Sequence, residues 1–91
     1  MGRRDEDRRL AERMARRAAG ALEEFQTAYT PLLRYIIAPI LPDERDREEC
    51  LADAVHRAWM SIEQFDSNRG SLAAWLAAIA RNAALNRLRE A

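Results

Sequence analysis

Lysine is absent from the sequence, and cysteine and histidine occur only once each. A lone cysteine, Cys50, allows no internal disulfide, and together with one histidine, His56, it supplies too few ligands for a zinc site. We therefore interpret Cys50 as a small residue that packs between helices. We interpret His56 as an exposed or hydrogen-bonded helix residue. No metal and no cofactor are expected.

The motifs of catalysis are also missing. The sequence contains no glycine-rich phosphate loop, and its serines at positions 61, 67 and 71 lack the neighbours that activate a nucleophile. Acidic pairs are abundant, but they occupy adjacent positions on helix surfaces. The sequence therefore predicts a protein that is not an enzyme.

Glycine and proline number only three each, whereas hydrophobic residues make up 48% of the chain. This composition is typical of a helical bundle and not of a disordered chain. No run approaches the roughly 20 apolar residues of a membrane span. The N-terminus, MGRRDEDRRL, lacks the apolar segment of a signal peptide. We expect a compact, all-α protein that is cytoplasmic and has no membrane partner.

Charge is distributed unevenly along a chain whose net charge is zero. Residues 1–20 carry seven arginines and four acidic residues, residues 42–66 carry three and eight, and residues 67–91 carry four and one. A neutral chain is a poor free-standing DNA binder, because neutralisation of phosphates supplies much of the affinity. It can still present a basic face to nucleic acid and an acidic face to another partner.

The spacing of apolar residues predicts four helices, at about 5–19, 21–41, 43–63 and 71–89. The first is dense in charge and has a narrow apolar stripe. We interpret residues 1–20 as a solvated helix, ended by Gly20, that packs lightly on a helical domain of residues 21–91.

Helix ends and the core can be predicted in more detail. Pro31 should kink the second helix or start a new one at Thr30. Asp43 and Ser71 are expected N-caps of the third and fourth helices. The predicted core consists of Phe25, Leu32, Leu33, Ile36, Ile40, Leu51, Val55, Trp59, Ile62, Phe65, Leu72, Leu76 and Ile79.

The chain is organised around the stretch FDSNRGSLAAWLAAIARNAALNRLRE at residues 65–90. Residues 66–70 predict an exposed polar loop, and residues 71–90 predict an amphipathic helix with arginines and asparagines on its flanks. A loop rich in hydrogen-bond donors beside such a helix could bind an unpaired nucleic-acid strand. By spacing alone it is equally an ordinary capped surface helix.

This stretch resembles region 2 of bacterial RNA polymerase sigma factors of the extracytoplasmic-function type. The matching positions are Phe65, Asp66, Arg69, Gly70, Ser71, Trp75, Leu76, Ile79, Ala80, Arg81, Asn82, Ala84, Leu88 and Arg89. Upstream, an acidic helix that ends in Arg57, Ala58 and Trp59 and the segment FQTAYTPLLRYI also fit the family. The resemblance covers about residues 10–89.

The resemblance implies that the loop and final helix bind the non-template single strand of the promoter −10 element. The implied DNA-binding residues are Asn68, Arg69, Gly70, Ser71, Trp75, Arg81, Asn82, Arg87 and Arg89. Asn68 is the predicted base-discriminating residue, because an amide both donates and accepts hydrogen bonds. The arginines are predicted phosphate contacts. Trp75 is either a core residue or a border of the melted DNA.

The resemblance also implies that the acidic helix docks on core RNA polymerase, at the clamp helices of its largest subunit. The implied contacts are Glu48, Glu49, Ala52, Asp53, Val55 and His56. Ala52 stands where the family usually has glutamine, and His56 where it has a large apolar residue, so docking is expected to be weaker or different in detail.

Two further questions about partners stay open at the level of sequence. The helix-turn-helix domain with which the family reads the −35 element is not among these 91 residues. Either the sequence is a piece of a longer factor, or the protein works with a separate −35-reading partner. The alternative function is a stand-alone interaction module that binds polymerase or an anti-sigma factor without directing promoter recognition.

Overall fold

The structure, a computed structural model, describes residues 3–90. It contains four α-helices and a one-turn 3-10 helix: α1 (Arg3–Ala15), α2 (Ala21–Ile37), α3 (Glu44–Met60), the 3-10 turn (Ile62–Gln64) and α4 (Leu72–Glu90). Helices α2, α3 and α4 pack against one another, and α1 lies against α2, α4 and the 3-10 turn. No strand occurs in the described part of the chain. The predicted all-α bundle of four helices is confirmed.

Helix α1 ends earlier than predicted, because Arg17 adopts a left-handed conformation with a φ of 55°. The Ala18 amide donates to the carbonyl of Arg13 at 2.9 Å. The Arg17 amide donates to the carbonyl of Met14 at 3.0 Å. These two bonds form a Schellman motif, the usual end of a helix with a left-handed residue. Gly20, the predicted end of α1, instead begins α2 with a φ of 81°.

Helix α2 runs through Pro31 without interruption and ends at Ile37, so no new helix begins at Thr30. Proline deprives the carbonyl four residues earlier of its helical partner. That carbonyl belongs to Thr27, which is exposed, as is Pro31. Water can therefore replace the missing hydrogen bond, and the helix tolerates the proline.

Both predicted N-caps are confirmed. The Asp43 carboxylate accepts hydrogen bonds from the amides of Arg45 and Asp46, at 2.7 and 3.4 Å. The Ser71 hydroxyl accepts one from the amide of Ala74 at 3.0 Å. These bonds satisfy amides in the first turns of α3 and α4 that have no partner within their own helix.

The predicted core is partly correct, and it misses both large and small buried residues. Six predicted residues are buried: Phe25, Leu33, Leu51, Ile62, Leu72 and Leu76. The other seven are half-buried: Leu32, Ile36, Ile40, Val55, Trp59, Phe65 and Ile79. The buried residues missing from the prediction are Leu10, Ala11, Met14, Ala21, Ile37, Leu41, Cys50, Ala54, Ala58, Ala80, Ala83 and Ala84. Many of these are small, because small side chains let α3 and α4 approach closely.

The interpretation of the first helix as a solvated element that packs lightly is wrong. Met14 of α1 is completely buried, and Leu10 and Ala11 join the same core as the other helices. Asp7 is also buried, with 4% of its surface exposed. The narrow apolar stripe of α1 is therefore enough to anchor the helix. The division into residues 1–20 and 21–91 stays a prediction.

Cys50 lies on the inner face of α3, with 1% of its surface exposed. Burial raises the pKa of its thiol, although the nearby positive charge of Arg87 opposes the shift. Burial therefore favours the protonated thiol over the thiolate, and the free energy of unfolding falls as the pH rises above the pKa of the thiol in the unfolded chain. Cys50 packs as the sequence predicts.

Candidate functional site

The loop between the 3-10 turn and α4 is held in shape by Asp66. Its side-chain carboxylate accepts a hydrogen bond from the backbone amide of Asn68 at 2.9 Å. Its backbone carbonyl accepts one from the backbone amide of Arg69 at 3.0 Å. The side chains of Asn68 and Arg69 remain exposed. The backbone of this turn is therefore fixed while its polar side chains are available to a ligand.

A cavity of about 380 Å³ opens beside this loop. It is lined by Gln64, Phe65, Asp66, Arg69, Gly70, Ser71, Ala74 and Trp75. The rings of Phe65 and Trp75 are tilted at 53°, with centroids 5.7 Å apart. Trp75 is half-buried, so it packs on the core and borders the cavity at once. Aromatic walls next to hydrogen-bond donors can hold an unpaired base by stacking and polar contact.

Gly70 lies at the edge of this cavity in a conformation that does not require glycine. Among the described residues only Gly20 is a glycine with positive φ, and a Cβ added at Gly70 would meet nothing within 4 Å. We expect Gly70→Ala to change the free energy of unfolding by less than about 1 kcal/mol. We expect Gly20→Ala, the matched control at a φ of 81°, to be destabilising.

Chemical denaturation of the two variants measures this difference. A marked loss of stability in Gly70→Ala would contradict the prediction. If the variant is as stable as expected, any loss of strand binding in it reports on contact with the ligand and not on folding.

The predicted DNA-binding residues fall into three groups in the structure. Arg69, Gly70, Ser71 and Trp75 surround the loop cavity, and Asn68 belongs to the same turn. Farther along α4, three more residues are exposed: Arg81, Asn82 and Arg89. Asn82 lines a separate cavity of about 430 Å³ between α3 and α4, and Arg89 donates to the side-chain oxygen of Asn86.

Arg87 forms the third group by itself, because it faces α3. Its guanidinium hydrogen bonds to the Glu49 carboxylate and lies 3.5 Å from an Asp53 oxygen. Its Nε is buried and lies 3.6 Å from an Asp46 oxygen. One arginine thus joins α4 to three carboxylates of α3, and in this conformation its charge is directed to them.

The predicted polymerase-binding residues are divided by the same contacts. Glu49 and Asp53 bind Arg87, on the side of α3 that faces α4. The other four, Glu48, Ala52, Val55 and His56, line a groove of about 450 Å³ between α2 and α3. We call this the α2–α3 groove.

The second wall of the α2–α3 groove comes from α2, which the sequence interpretation treated only as a core helix. Leu22, Gln26, Thr30 and Arg34 line it, and Arg34 bonds to Glu48 at 2.6 Å across the groove. These four positions recur every fourth residue, so they share one face of α2. In the sequence, the polar residues on this face of an otherwise apolar helix were the signal that this face of α2 could belong to a surface site.

Trp59 closes the α2–α3 groove at one end, and Arg17 holds it there. The Arg17 guanidinium lies 4.7 Å from the centre of the Trp59 ring, and its Nη1 donates to the Trp59 carbonyl at 2.8 Å. A cation above an indole face is an attractive arrangement. The left-handed end of α1 thereby supports the wall of the groove.

Within residues 3–90, no three acidic, histidine or cysteine side chains are placed to hold a metal ion. None of the described helices combines the length and the apolarity needed to cross a membrane.

The comparison with family models identifies one family. The model of Sigma-70 region 2 matches residues 25–91, which include α2 from Phe25 onward, α3, the loop and α4. Searches among curated proteins and among solved structures returned no match. The matched segment covers well over half of the chain. It contains all residues that line the loop cavity and all that line the α2–α3 groove except Leu22. The chain therefore belongs to the sigma-70 region 2 family.

Proposed function

We propose that this chain is the sigma-factor domain that captures the unpaired non-template strand of the −10 element during transcription initiation, in a factor of the extracytoplasmic-function type. The observation that carries the proposal is the loop at residues 66–71. Its backbone is fixed by Asp66, its Asn68 and Arg69 side chains are exposed, and it adjoins a cavity walled by aromatic rings.

In this proposal the cavity receives one extruded base. Extrusion of a base costs a few kcal/mol, which stacking and hydrogen bonds in the pocket must recover. Stacking of the base against Trp75 would recover one part of this cost. Hydrogen bonds between the side-chain amide of Asn68 and the polar edge of the base would recover another part and distinguish one base from the others. Arg69, Arg81 and Arg89 would contact phosphates, because each is exposed.

The α2–α3 groove is the proposed docking surface for core RNA polymerase. It combines apolar walls from Val55 and Trp59 with the charged pair Arg34 and Glu48 and the exposed residues Ala52 and His56. Specific interfaces commonly combine a partly apolar centre with a polar rim. A groove of this composition suits the side of a partner helix.

An arginine introduced at Ala52 tests this surface. Ala52 is exposed and lines the groove, so Ala52→Arg is expected to leave the fold intact and to weaken binding to core RNA polymerase by roughly tenfold or more. The matched control is Ala28→Arg, which makes the same change at an exposed position of α2 outside the groove. Binding is measured by titration of labelled protein with core polymerase.

Equal binding by Ala52→Arg and Ala28→Arg would exclude the groove as the docking surface. Asp53→Arg is a less suitable variant, because it would place a second positive charge next to Arg87 and disturb the fold. A loss of binding in that variant would not separate docking from stability.

One observation favours the alternative function, an interaction module that binds polymerase or an anti-sigma factor without reading the promoter. Arg87, a predicted phosphate contact, is bound to Glu49 and Asp53 instead. The remaining exposed arginines of α4 are few for a strand-binding surface. A chain that binds polymerase tightly but adds no sequence preference for single-stranded DNA would support this alternative.

A further inference from the structure

Asp7 is the one charged or polar residue, among those that the structure describes, whose surface is buried. Neither the docking surface nor the strand-binding surface proposed above uses it. A buried carboxylate is costly unless hydrogen bonds compensate for the loss of water. The partners of this carboxylate therefore indicate why it is inside the protein.

The Asp7 carboxylate joins three parts of the chain. Its Oδ1 accepts a hydrogen bond from the Tyr29 hydroxyl of α2 at 3.0 Å. Its Oδ2 accepts one from the backbone amide of Leu72 at 3.1 Å, across 65 residues of sequence. Leu72 is the first residue of α4 and is completely buried.

The bond to Leu72 satisfies an amide that α4 itself cannot satisfy. The first amides of a helix have no partner within the helix, and a negative charge at this end is favoured by the helix dipole. The Ser71 hydroxyl accepts a hydrogen bond from the backbone amide of Ala74, two residues after Leu72. Asp7 and Ser71 thus divide the capping of α4 between them, one from α1 and one from the loop.

This position makes Asp7 a neighbour of the strand-binding loop. The loop ends at Ser71, and its next residue is the one that Asp7 holds. At the other end of the loop, Ala11 and Ala15 of α1 face the 3-10 turn and the start of the loop across a cavity of about 460 Å³ that residues 62–67 also line. The segment matched by the family model begins at residue 25, so α1 precedes it.

We propose that Asp7 is a positioning residue for strand capture: it fixes where the loop ends and α4 begins, and so sets how Asn68 and Arg69 are presented to the strand. The inference rests on the function proposed above. It assigns to α1 a role in reading DNA that requires no contact between α1 and DNA.

Three substitutions of Asp7 separate positioning from simple filling of the core. Asp7→Asn can keep both hydrogen bonds, because its oxygen can accept from Leu72 while its NH₂ donates to the Tyr29 hydroxyl. Asp7→Leu has a similar shape but leaves the Leu72 amide buried without a partner. Asp7→Glu keeps the charge and both acceptors, but its extra methylene displaces the carboxylate or the start of α4.

Each variant is bound to core RNA polymerase, and its complex is titrated with single-stranded DNA selected on the wild-type complex. The exposed variant Ala28→Arg serves as a control for polymerase binding. We expect all Asp7 variants to bind polymerase as the wild type does, because the α2–α3 groove contains no α1 residue. We expect Asp7→Leu to bind the selected strand about tenfold more weakly and to lose base preference. We expect Asp7→Asn to retain both properties.

Amide exchange provides a second readout that a change in overall stability would not reproduce. In Asp7→Leu the Leu72 amide should exchange faster than the other core amides of α4, whereas in Asp7→Asn it should not. If Asp7→Leu fails to fold, Asp7→Glu decides the question. Polymerase binding that is retained while strand affinity falls supports positioning, and unchanged strand affinity and base preference overturn it.

The outcomes also distinguish this inference from the function on which it rests. If the wild-type chain does not bind polymerase, or its complex selects no DNA sequence, the proposed function fails. If the wild-type chain binds polymerase and its complex selects a DNA sequence, and Asp7→Leu does the same equally well, only the positioning role of Asp7 fails.

Discussion

Replacement of Met14 by alanine is expected to lower the free energy of unfolding by about 2–4 kcal/mol. Met14 is completely buried, and it carries the packing of α1 against the other helices together with Leu10 and Ala11. Truncation at such a site loses the transfer free energy of the removed atoms and leaves a cavity. Since a small domain has roughly 5–15 kcal/mol of stability, the loss is a large part of the total.

Met60→Ala provides the matched control. Met60 is 58% exposed at the end of α3, so the same truncation there should change stability by about 0.5 kcal/mol or less. Urea denaturation followed by circular dichroism measures both variants. Equal effects of the two substitutions would show that α1 packs on the bundle less closely than its burial indicates.

The second large effect is expected at Arg87. Arg87→Ala removes the only cation that joins the three carboxylates in the described structure. Asp46 and Asp53 then lose the one ion-pair partner described for each of them, and Glu49 keeps only Arg45. Ion pairs on the surface contribute little, whereas removal of one partner from a buried pair costs several kcal/mol. The Arg87 side chain is 26% exposed and lies between these cases. We expect a loss of about 1–2 kcal/mol.

The loss should depend on salt, because added ions screen the repulsion between the remaining carboxylates. We therefore expect Arg87→Ala to recover part of its stability between low salt and about 1 M salt. Arg89→Ala is the control on the same helix, since Arg89 is exposed and contacts only a neighbouring side chain, Asn86, among the described hydrogen bonds. Similar unfolding curves for both variants at low salt would show that the Arg87 contacts contribute no stability.

The sequence was sufficient to predict most local features of the fold. Apolar spacing identified four helices, and the residue types at positions 43 and 71 identified the N-caps of α3 and α4. Both features depend on residues that are neighbours in the chain. The end of α1 was different. Arginine rarely adopts positive φ, but Arg17 has a φ of 55° in the folded protein. In this conformation its side chain contacts Trp59, 42 residues away in the sequence.

Long-range polar contacts could not be predicted from residue types. Nothing near Asp7 in the sequence indicates that its carboxylate will meet an amide 65 residues later. The position of Arg87 did leave a signal. The buried residues Leu76, Ala80 and Ala83 mark the face of α4 that points into the bundle. Position 87 lies four residues after Ala83 and therefore falls on the same face. Arg89 lies two residues farther, which turns it about 200° around the helix.

The site shows the same limits. The polar loop and the aromatic residue beside it could be recognised from sequence, since both belong to one continuous stretch. For the α2–α3 groove the sequence showed only the half-polar face of α2, because the two walls come from helices whose relative rotation is set by packing of the whole bundle. The resemblance implied one docking surface that included Glu48, Glu49 and Asp53, but the bundle divides these residues between this groove and Arg87.

The most direct test of the central proposal is selection of single-stranded DNA by core RNA polymerase with and without this chain. A pool of random sequence is captured on the complex and sequenced, and the enriched positions are compared with those retained by polymerase alone. The proposal predicts a short enriched motif that depends on the chain, disappears with Ala52→Arg, and changes at one position with Asn68→Ala. A complex that forms tightly but enriches no sequence beyond polymerase alone would contradict it.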